Sequence, residues 1–330
     1  MFRTTALALL FATPALADVN IYSTRQPDLI DPILAAFTAE TGITVNTAFI
    51  DSGLIERLTA EGARSPADLV LTVDIANLNA IVEAELTQPL ASDTVAANIP
   101  AEFRDPDGLW IGLTSRARIV YASKDRVDPT EITSYEDLAS EKWRDRICIR
   151  SGLHNYNIAL LSSYIAHHGE AAAEEWLTGI KANLARKPQG NDRAQVKAIW
   201  AGECDIAIGN TYYMGQMLAD PEQTEWANSV NVVFPEIGGE GAHVNLSGVA
   251  LTANAPNHDE AVQLIEYLTS EAAQELYAEL NYEYPLNAAV SPSELVQSWG
   301  SFTPDSMPLT EIAKHRGEAI KIVERVNFDE

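Results

Sequence analysis

Three tyrosines follow two short β-rich runs of this chain at matching positions. Cys148 starts the first run, and Tyr156 comes eight residues later. Cys204 starts the second run, and Tyr212 again comes eight residues later, with Tyr213 beside it. Ligands of open α/β sheets bind beyond the carboxyl ends of strands, where helices begin, so we expect the three phenols to meet at such a point. Phenol oxygens are hard ligands that suit a small trivalent cation.

The elements that must position these tyrosines alternate between strands and helices. Short β-rich runs at 19–22, 43–49 and 69–73 alternate with amphipathic helical stretches. This rhythm predicts parallel sheets flanked by helices. Extended stretches at 108–111 and 116–122 interrupt the rhythm and suit a strand that passes between domains. We therefore expect a first domain that is interrupted by a second and then resumes, with a cleft between them.

The N-terminus has the pattern of an export signal. Arg3 precedes an apolar run at 6–12, and Ala15-Leu16-Ala17 fits a small-x-small cleavage site. Residues 1–17 are therefore predicted to be a signal peptide. No later segment approaches the roughly 20 apolar residues that span a bilayer. We expect an exported, monomeric protein, and its 330 residues suggest two domains.

Composition excludes several classes of partner and function. The 22 Lys and Arg residues face 47 Asp and Glu residues, for a formal net charge of −25. Such a surface repels nucleic acid and anionic lipid. The sequence also lacks the nucleophile-elbow, zinc-protease, P-loop and dinucleotide-binding motifs, so we predict that the protein is not an enzyme.

The only two cysteines are interpreted as a disulfide. Cys148 and Cys204 both lie at the start of predicted strands in a chain expected to enter an oxidising compartment. Two buried thiols remain the alternative.

Short motifs spread along the chain form a family pattern. They are IYSTRQP (21–27), ETGI (40–43), SPAD (65–68), LTVD (71–74), GLTSRAR (112–118), NLARKPQG (183–190), GNTYY (209–213) and NYEYP (281–285). Together they resemble the bacterial periplasmic ferric-ion-binding proteins of ABC importers. The resemblance implies a two-lobed type II periplasmic-binding-protein fold of the α/β class, with mixed, mostly parallel sheets flanked by helices and a ligand cleft between the lobes.

The same resemblance suggests where each lobe begins and ends. We expect the first lobe to comprise residues 18–115 and about 246–290. The second lobe is expected to comprise about 116–245 and about 291–330, and it carries the tyrosines.

The resemblance also assigns metal ligands. The metal-binding tyrosines of the family correspond to Tyr156, Tyr212 and Tyr213 of this chain. Many relatives carry a His-Tyr pair where this chain has Gln26 and Pro27, neither of which supplies an anionic oxygen. This departure implies the subclass in which carbonate or bicarbonate completes the Fe³⁺ shell.

Three side chains are candidates for contact with that anion, namely Arg25, Gln26 and Arg116. A planar guanidinium holds a carboxylate-like anion through two parallel hydrogen bonds, which favours the two arginines. Gln26 is a weaker candidate because its amide is uncharged.

The resemblance implies that the protein captures Fe³⁺ in the periplasm and delivers it to an inner-membrane ABC permease and its ATPase. One alternative is a periplasmic receptor for an oxyanion or a small organic ligand, held by the arginines with stacking from the tyrosines. A less favoured alternative is a cleft enzyme that uses Cys148 or Cys204, which a disulfide between them would remove.

Overall fold

The computed structural model describes residues 17–50 and 52–330, so the predicted signal peptide lies outside the described residues except for Ala17. The strands are β1 (Val19–Ser23), β2 (Val45–Phe49), β3 (Leu69–Thr72), β4 (Ile111–Ser123), β5 (Ile147–Cys148), β6 (Ile206–Asn210), β7 (Val230–Val233), β8 (Val244–Leu251) and β9 (Tyr284–Pro285). The α-helices are α1 (Asp31–Thr41), α2 (Leu54–Glu61), α3 (Ile75–Glu83), α4 (Asp93–Asn98), α5 (Asn155–His168), α6 (Glu170–Ala182), α7 (Asp192–Trp200), α8 (Tyr212–Ala219), α9 (Thr224–Asn228), α10 (His258–Thr269), α11 (Glu271–Asn281), α12 (Glu294–Gln297), α13 (Leu309–Ala313) and α14 (Arg316–Arg325). None of the helices in this part of the chain has the length and apolarity needed to cross a membrane.

Within residues 17–50 and 52–330 the strands form a nine-stranded sheet. Its order is β2-β1-β3-β8-β4-β6-β5, and β7 and β9 also pair with β4. Pairing is parallel between β1 and β2, β1 and β3, and β5 and β6. The other pairings are antiparallel, so the sheet is mixed but not mostly parallel as expected. The reason is that β4 and β8 are antiparallel to every strand with which they pair.

Strand β4 joins the two halves of the sheet. Its first part, through Ala117, pairs with β8, and its last part, from Arg118, pairs with β6 and β7. Arg116 and Arg118 lie two residues apart and therefore point to the same face of this strand. The extended stretch at 116–122 that interrupts the helical rhythm of the sequence is thus part of one long connecting strand.

Separate hydrophobic clusters lie on the two sides of this connection. Ile21 and Leu69 pack with Tyr277 in one cluster, and Ile158 and Ile206 pack in another. Burial of this apolar surface is the main favourable contribution to folding on each side. The lobe boundaries given above stay a prediction, while the clusters are consistent with two bodies joined by strands.

The two tyrosine-bearing helices begin near the carboxyl ends of the parallel strands β5 and β6. Helix α5 follows β5 after a short loop, and its N-cap His154 accepts a hydrogen bond from the Tyr156 amide through Nδ1 at 3.2 Å. Helix α8 begins directly after β6. The end of β6 is held by Tyr121, whose hydroxyl donates to the Asn210 carbonyl at 2.6 Å. The parallel pairing thus places both helix starts at the same edge of the sheet.

The predicted disulfide is present between Cys148 and Cys204, with a Cα–Cα distance of 5.8 Å. Cys148 ends β5, whereas Cys204 lies just before β6 instead of opening it. The bond therefore ties β5 to the segment that leads into β6.

We predict that replacing both cysteines by alanine lowers the free energy of unfolding substantially. The bond closes a loop with a sequence separation of 56 residues, and the chain-entropy estimate for a loop of this size is about 4 kcal/mol. Chemical denaturation of the double variant and the parent measures the difference. An unchanged midpoint with an unchanged denaturant slope would contradict the prediction.

Candidate metal centre

The structure brings the three predicted phenols together at the edge of the sheet. The hydroxyl oxygens of Tyr156 and Tyr212 lie 3.1 Å apart. The rings of Tyr212 and Tyr213 lie 4.3 Å apart between centroids, at the first turn of α8. Tyr212 is buried, and Tyr156 and Tyr213 are half-buried. Residues from two helices that lie far apart in the sequence thus present three phenols to one small region.

Burial keeps protons on the phenols of Tyr212 and Tyr213 in the absence of a cation. Desolvation raises the pKa of Tyr212 well above its ordinary value, and the neighbouring phenols of Tyr156 and Tyr213 raise it further. Desolvation likewise raises the pKa of Tyr213, again assisted by Tyr156. Two or three phenolates at this spacing repel one another unless a cation lies between them. A highly charged cation reverses this balance because it stabilises the phenolate form.

Three guanidinium groups surround the ring of Tyr156. The Cζ atoms of Arg116, Arg118 and Arg150 lie 5.9, 5.7 and 5.3 Å from the ring centroid. At such distances a cation is attracted to the ring face. The positive charge also favours any anionic oxygen that enters this region, whether a phenolate or an exogenous anion.

One buried carboxylate compensates two of these arginines. Asp192, the first residue of α7, accepts from Arg118 Nη1 at 2.8 Å and from Arg150 Nη1 at 3.1 Å. It also accepts from the Asn210 amide at 3.0 Å. Burial alone raises the pKa of Asp192, but the two guanidinium groups outweigh it and hold the pKa below its usual range. Asp192 is therefore a buried anion with partners on three different strands or strand ends.

Arg118 extends this network to both tyrosine-bearing helices. Its guanidinium donates to Asn157 Oδ1 at 2.6 Å on α5 and to Asn210 Oδ1 at 3.0 Å just before α8. Asn157 in turn donates to the carbonyl of Arg150 at 3.1 Å. The network formed by Arg118, Arg150, Asn157, Asp192 and Asn210 thus joins the starts of α5 and α8.

Sequence reasoning missed the arginines and the aspartate of this network. The sequence could have indicated Arg118 as a site residue, because it lies two positions after Arg116 in the same extended stretch. It could also have indicated Arg150, which directly follows the β-rich run before Tyr156. Asp192 has no comparable local signal, since its two arginine partners lie 42 and 74 residues away.

Arg116 differs from its two neighbours because it has no carboxylate partner. Within the described residues its Nη1 donates only to Ser247 Oγ at 3.3 Å, and its buried Nη2 has no hydrogen-bond partner. Its side chain is buried, and with Tyr156 it lines a cavity of ≈ 10 Å³. That volume suits about one water-sized group. A buried cation with an unused donor is costly to the fold unless an anion completes it.

The structure places Arg25 and Gln26 differently. Arg25 is buried and forms an ion pair with Glu283, and its Nη1 donates to Ser247 Oγ at 2.8 Å. Gln26 is exposed, and its side chain forms no hydrogen bond to any other described residue. Ser247 therefore lies between Arg25 and Arg116. Contact of Arg25 or Gln26 with an anion stays a prediction.

Known proteins resemble this chain over most of its length. The family described as bacterial extracellular solute-binding proteins matches residues 64–299. Iron uptake protein A1 of Synechocystis is 43% identical over 314 residues, which cover 94% of this chain and 87% of the relative. The solved apo ferric ion-binding protein A of Pasteurella haemolytica is 49% identical, with a TM-score of 0.93 and coverage of 96% of this chain and 99% of that chain. The Trichodesmium protein FutA (IdiA), solved in complex with iron and citrate ligands, is 41% identical, with a TM-score of 0.88 and coverage of 94% and 99%.

These comparisons confirm the resemblance to ferric-ion-binding proteins that the motifs indicated. They also confirm the two-lobed α/β fold of periplasmic binding proteins, with the sheet correction given above.

We predict that Asp192→Asn lowers the free energy of unfolding at pH 7 by about 3–5 kcal/mol, the usual cost of removing one partner of a buried ion pair. In the parent, the pKa of the Asp192 carboxyl is lower in the folded chain than in the unfolded chain. The contribution of this carboxylate to the free energy of unfolding is therefore complete above roughly pH 3.9 and is lost as the pH falls through the folded pKa. Denaturation of parent and variant across this range should show the difference shrinking in acid. Asp259→Asn is the control, because the Asp259 side chain is 93% exposed, and equal losses in both variants would refute the assignment.

Proposed function

We propose that this chain, which belongs to the bacterial extracellular solute-binding protein family, binds ferric iron through the phenolates of Tyr156, Tyr212 and Tyr213. It acts in the periplasm after export and delivers the ion to an inner-membrane ABC permease and its ATPase. Its role is that of a receptor and not of an enzyme. The observation that carries the proposal is the meeting of three phenols, with the oxygens of Tyr156 and Tyr212 only 3.1 Å apart.

The chemistry of the site favours a trivalent cation. Three phenolates balance the charge of Fe³⁺, and anionic oxygen is the ligand type that hard cations prefer. Because burial raises the pKa of Tyr212 and Tyr213, both phenols release protons when the metal binds. Iron affinity is therefore expected to weaken as the pH falls, since protons compete with the metal for the same oxygens.

Arg116 supports the proposal that an exogenous anion completes the iron shell. Its unused Nη2 donor lies beside the ring of Tyr156 in a cavity that has room for one small group. Carbonate and bicarbonate are small anions, and their planar oxygens suit a guanidinium. Citrate is the other candidate, because the Trichodesmium relative was solved with iron and citrate ligands, but citrate needs more room than this cavity offers.

The geometry favours an ion over a small organic ligand. The cavity beside Tyr156 has a volume of ≈ 10 Å³, whereas drug-sized ligands occupy roughly 300–1,000 Å³. A larger cavity of ≈ 640 Å³ is lined by Phe103, Tyr284 and Phe302 among others, and by none of the three proposed ligands. An enzyme that uses a cysteine thiol is disfavoured, because both cysteines form the disulfide.

We predict that Tyr156→Phe, Tyr212→Phe and Tyr213→Phe each lower iron affinity by at least about tenfold, since each change removes one anionic ligand and keeps the ring. Calorimetric titration with a ferric chelate measures the affinity, and loss of the visible phenolate-to-iron absorption reports the ligand itself. Tyr164→Phe is the matched control, because Tyr164 packs against Trp176 in a hydrophobic cluster away from the three phenols. Parent-like iron binding by all three variants would show that the tyrosine site is wrong.

We predict that Arg116→Ala retains the three phenolate ligands but makes iron binding depend on added anion. Visible absorption should survive, while iron should leave faster in buffer free of bicarbonate than from the parent. Titrations in bicarbonate, in citrate and in neither identify the anion, since the variant should need a higher concentration of the one that Arg116 holds. Equal anion dependence in parent and variant would remove Arg116 from the anion site.

A further inference from the structure

The NYEYP motif at 281–285 contains a residue in an unusual backbone conformation. Tyr282 ends α11 with a φ of 59°, in the left-handed region. This region is disfavoured for a bulky side chain, whereas glycine and asparagine adopt it readily. Glycine or asparagine at position 282 would end the helix with less strain than the tyrosine that is present. Such an outlier persists when surrounding contacts hold it in place.

Tyr282 contacts α8, the helix that carries the two proposed iron ligands Tyr212 and Tyr213. A Cβ atom at Gly215 would lie 2.1 Å from Tyr282 Cγ and 2.6 Å from Tyr282 Cβ. The tyrosine ring therefore rests directly on the backbone of α8, in space that any larger residue at 215 would fill. Gly215 lies three residues after Tyr212, and residues at this spacing are neighbours on one helix face.

This contact joins two separate hydrophobic clusters. The side chain of Tyr277, which lies on α11 five residues before Tyr282, packs in the cluster that contains Ile21. Met214 and Met217, on either side of Gly215 on α8, pack in the cluster that contains Cys148. The ring of Tyr282 thus connects the part of the protein around β1 with the helix that begins at Tyr212 and Tyr213.

The neighbours of Tyr282 in the motif fix its position. Asn281 Nδ2 donates to the Leu29 carbonyl at 2.7 Å, and Glu283 forms the buried ion pair with Arg25. Both contacts attach the motif to the β1–α1 connection. Tyr282 therefore extends from a firmly held support toward α8.

We propose that Tyr282 is a positioning residue for iron retention. Its ring holds α8 against the opposite lobe, so that Tyr212 and Tyr213 stay on the metal and iron release requires this contact to open. The inference rests on the proposed iron site and adds a residue that does not touch the metal. The left-handed backbone conformation of Tyr282 is strained, but it directs the ring onto Gly215.

The test compares four variants that separate retention from folding. Tyr282→Gly relieves the left-handed strain and removes the ring, so the midpoint of denaturation should stay level or rise. Iron should nevertheless pass to a competing chelator about tenfold faster, the factor that corresponds to 1.4 kcal/mol. Tyr282→Phe keeps the ring and should release iron at the parent rate. Gly215→Ala places a methyl group against the ring and should release iron faster, whereas Gly317→Ala is its matched control, because no atom lies within 4 Å of a Cβ there.

Solution scattering of the iron-loaded proteins gives a second readout. The parent and Tyr282→Phe should be more compact with iron than without it, and Tyr282→Gly should show less compaction. Parent-like release and compaction in both Tyr282→Gly and Gly215→Ala would overturn the inference while leaving the iron site intact. A parent that binds no iron would instead overturn the proposed function, and the inference with it.

Discussion

The candidate site depends on one buried carboxylate. Asp192 binds Arg118, Arg150 and the Asn210 amide, and through them it links the strand ends from which α5 and α8 begin. Without this anion, the buried guanidinium of Arg118 and the partly buried one of Arg150 would repel each other beside Tyr156, and the helices that carry the three phenols would lose their connection. The disulfide between the strands below acts in the same direction, because it restricts how far β5 and β6 can separate.

The distribution of charge around this frame suits the proposed joint binding of iron and an anion. Arg118 and Arg150 are compensated by Asp192, and Arg25 is compensated by Glu283. Arg116 alone among these four forms no ion pair within the described residues. A group of three phenols beside one uncompensated cation suits the joint entry of a trivalent ion and a small anion. Either partner alone would leave charge uncompensated in a partly buried site.

Long-range contacts from the other side of β4 complete the arrangement. Ser247 on β8 lies between Arg25 and Arg116, and Tyr282 reaches α8 at Gly215. A ligand that gains contacts from both sides favours the state in which they are close together. The strained conformation of Tyr282 is understandable in this setting, because a ring at a helix end can bridge a gap that a glycine could not.

The sequence alone determined the alternation of strands and helices and predicted that the three phenols meet, because these follow from local periodicity and from matched spacing beside parallel strands. It favoured the disulfide but left two buried thiols as the alternative. Its motifs also identified the family. Only the tertiary structure decided that antiparallel pairing predominates in the mixed sheet, that Arg25 pairs with Glu283, and that Asp192 pairs with Arg118 and Arg150. The physical reason is that a buried ion pair depends on which distant segments the fold brings within about 4 Å, where charges attract strongly. Arg25 and Glu283 lie 258 residues apart, and no local pattern in the sequence predicts that they pair.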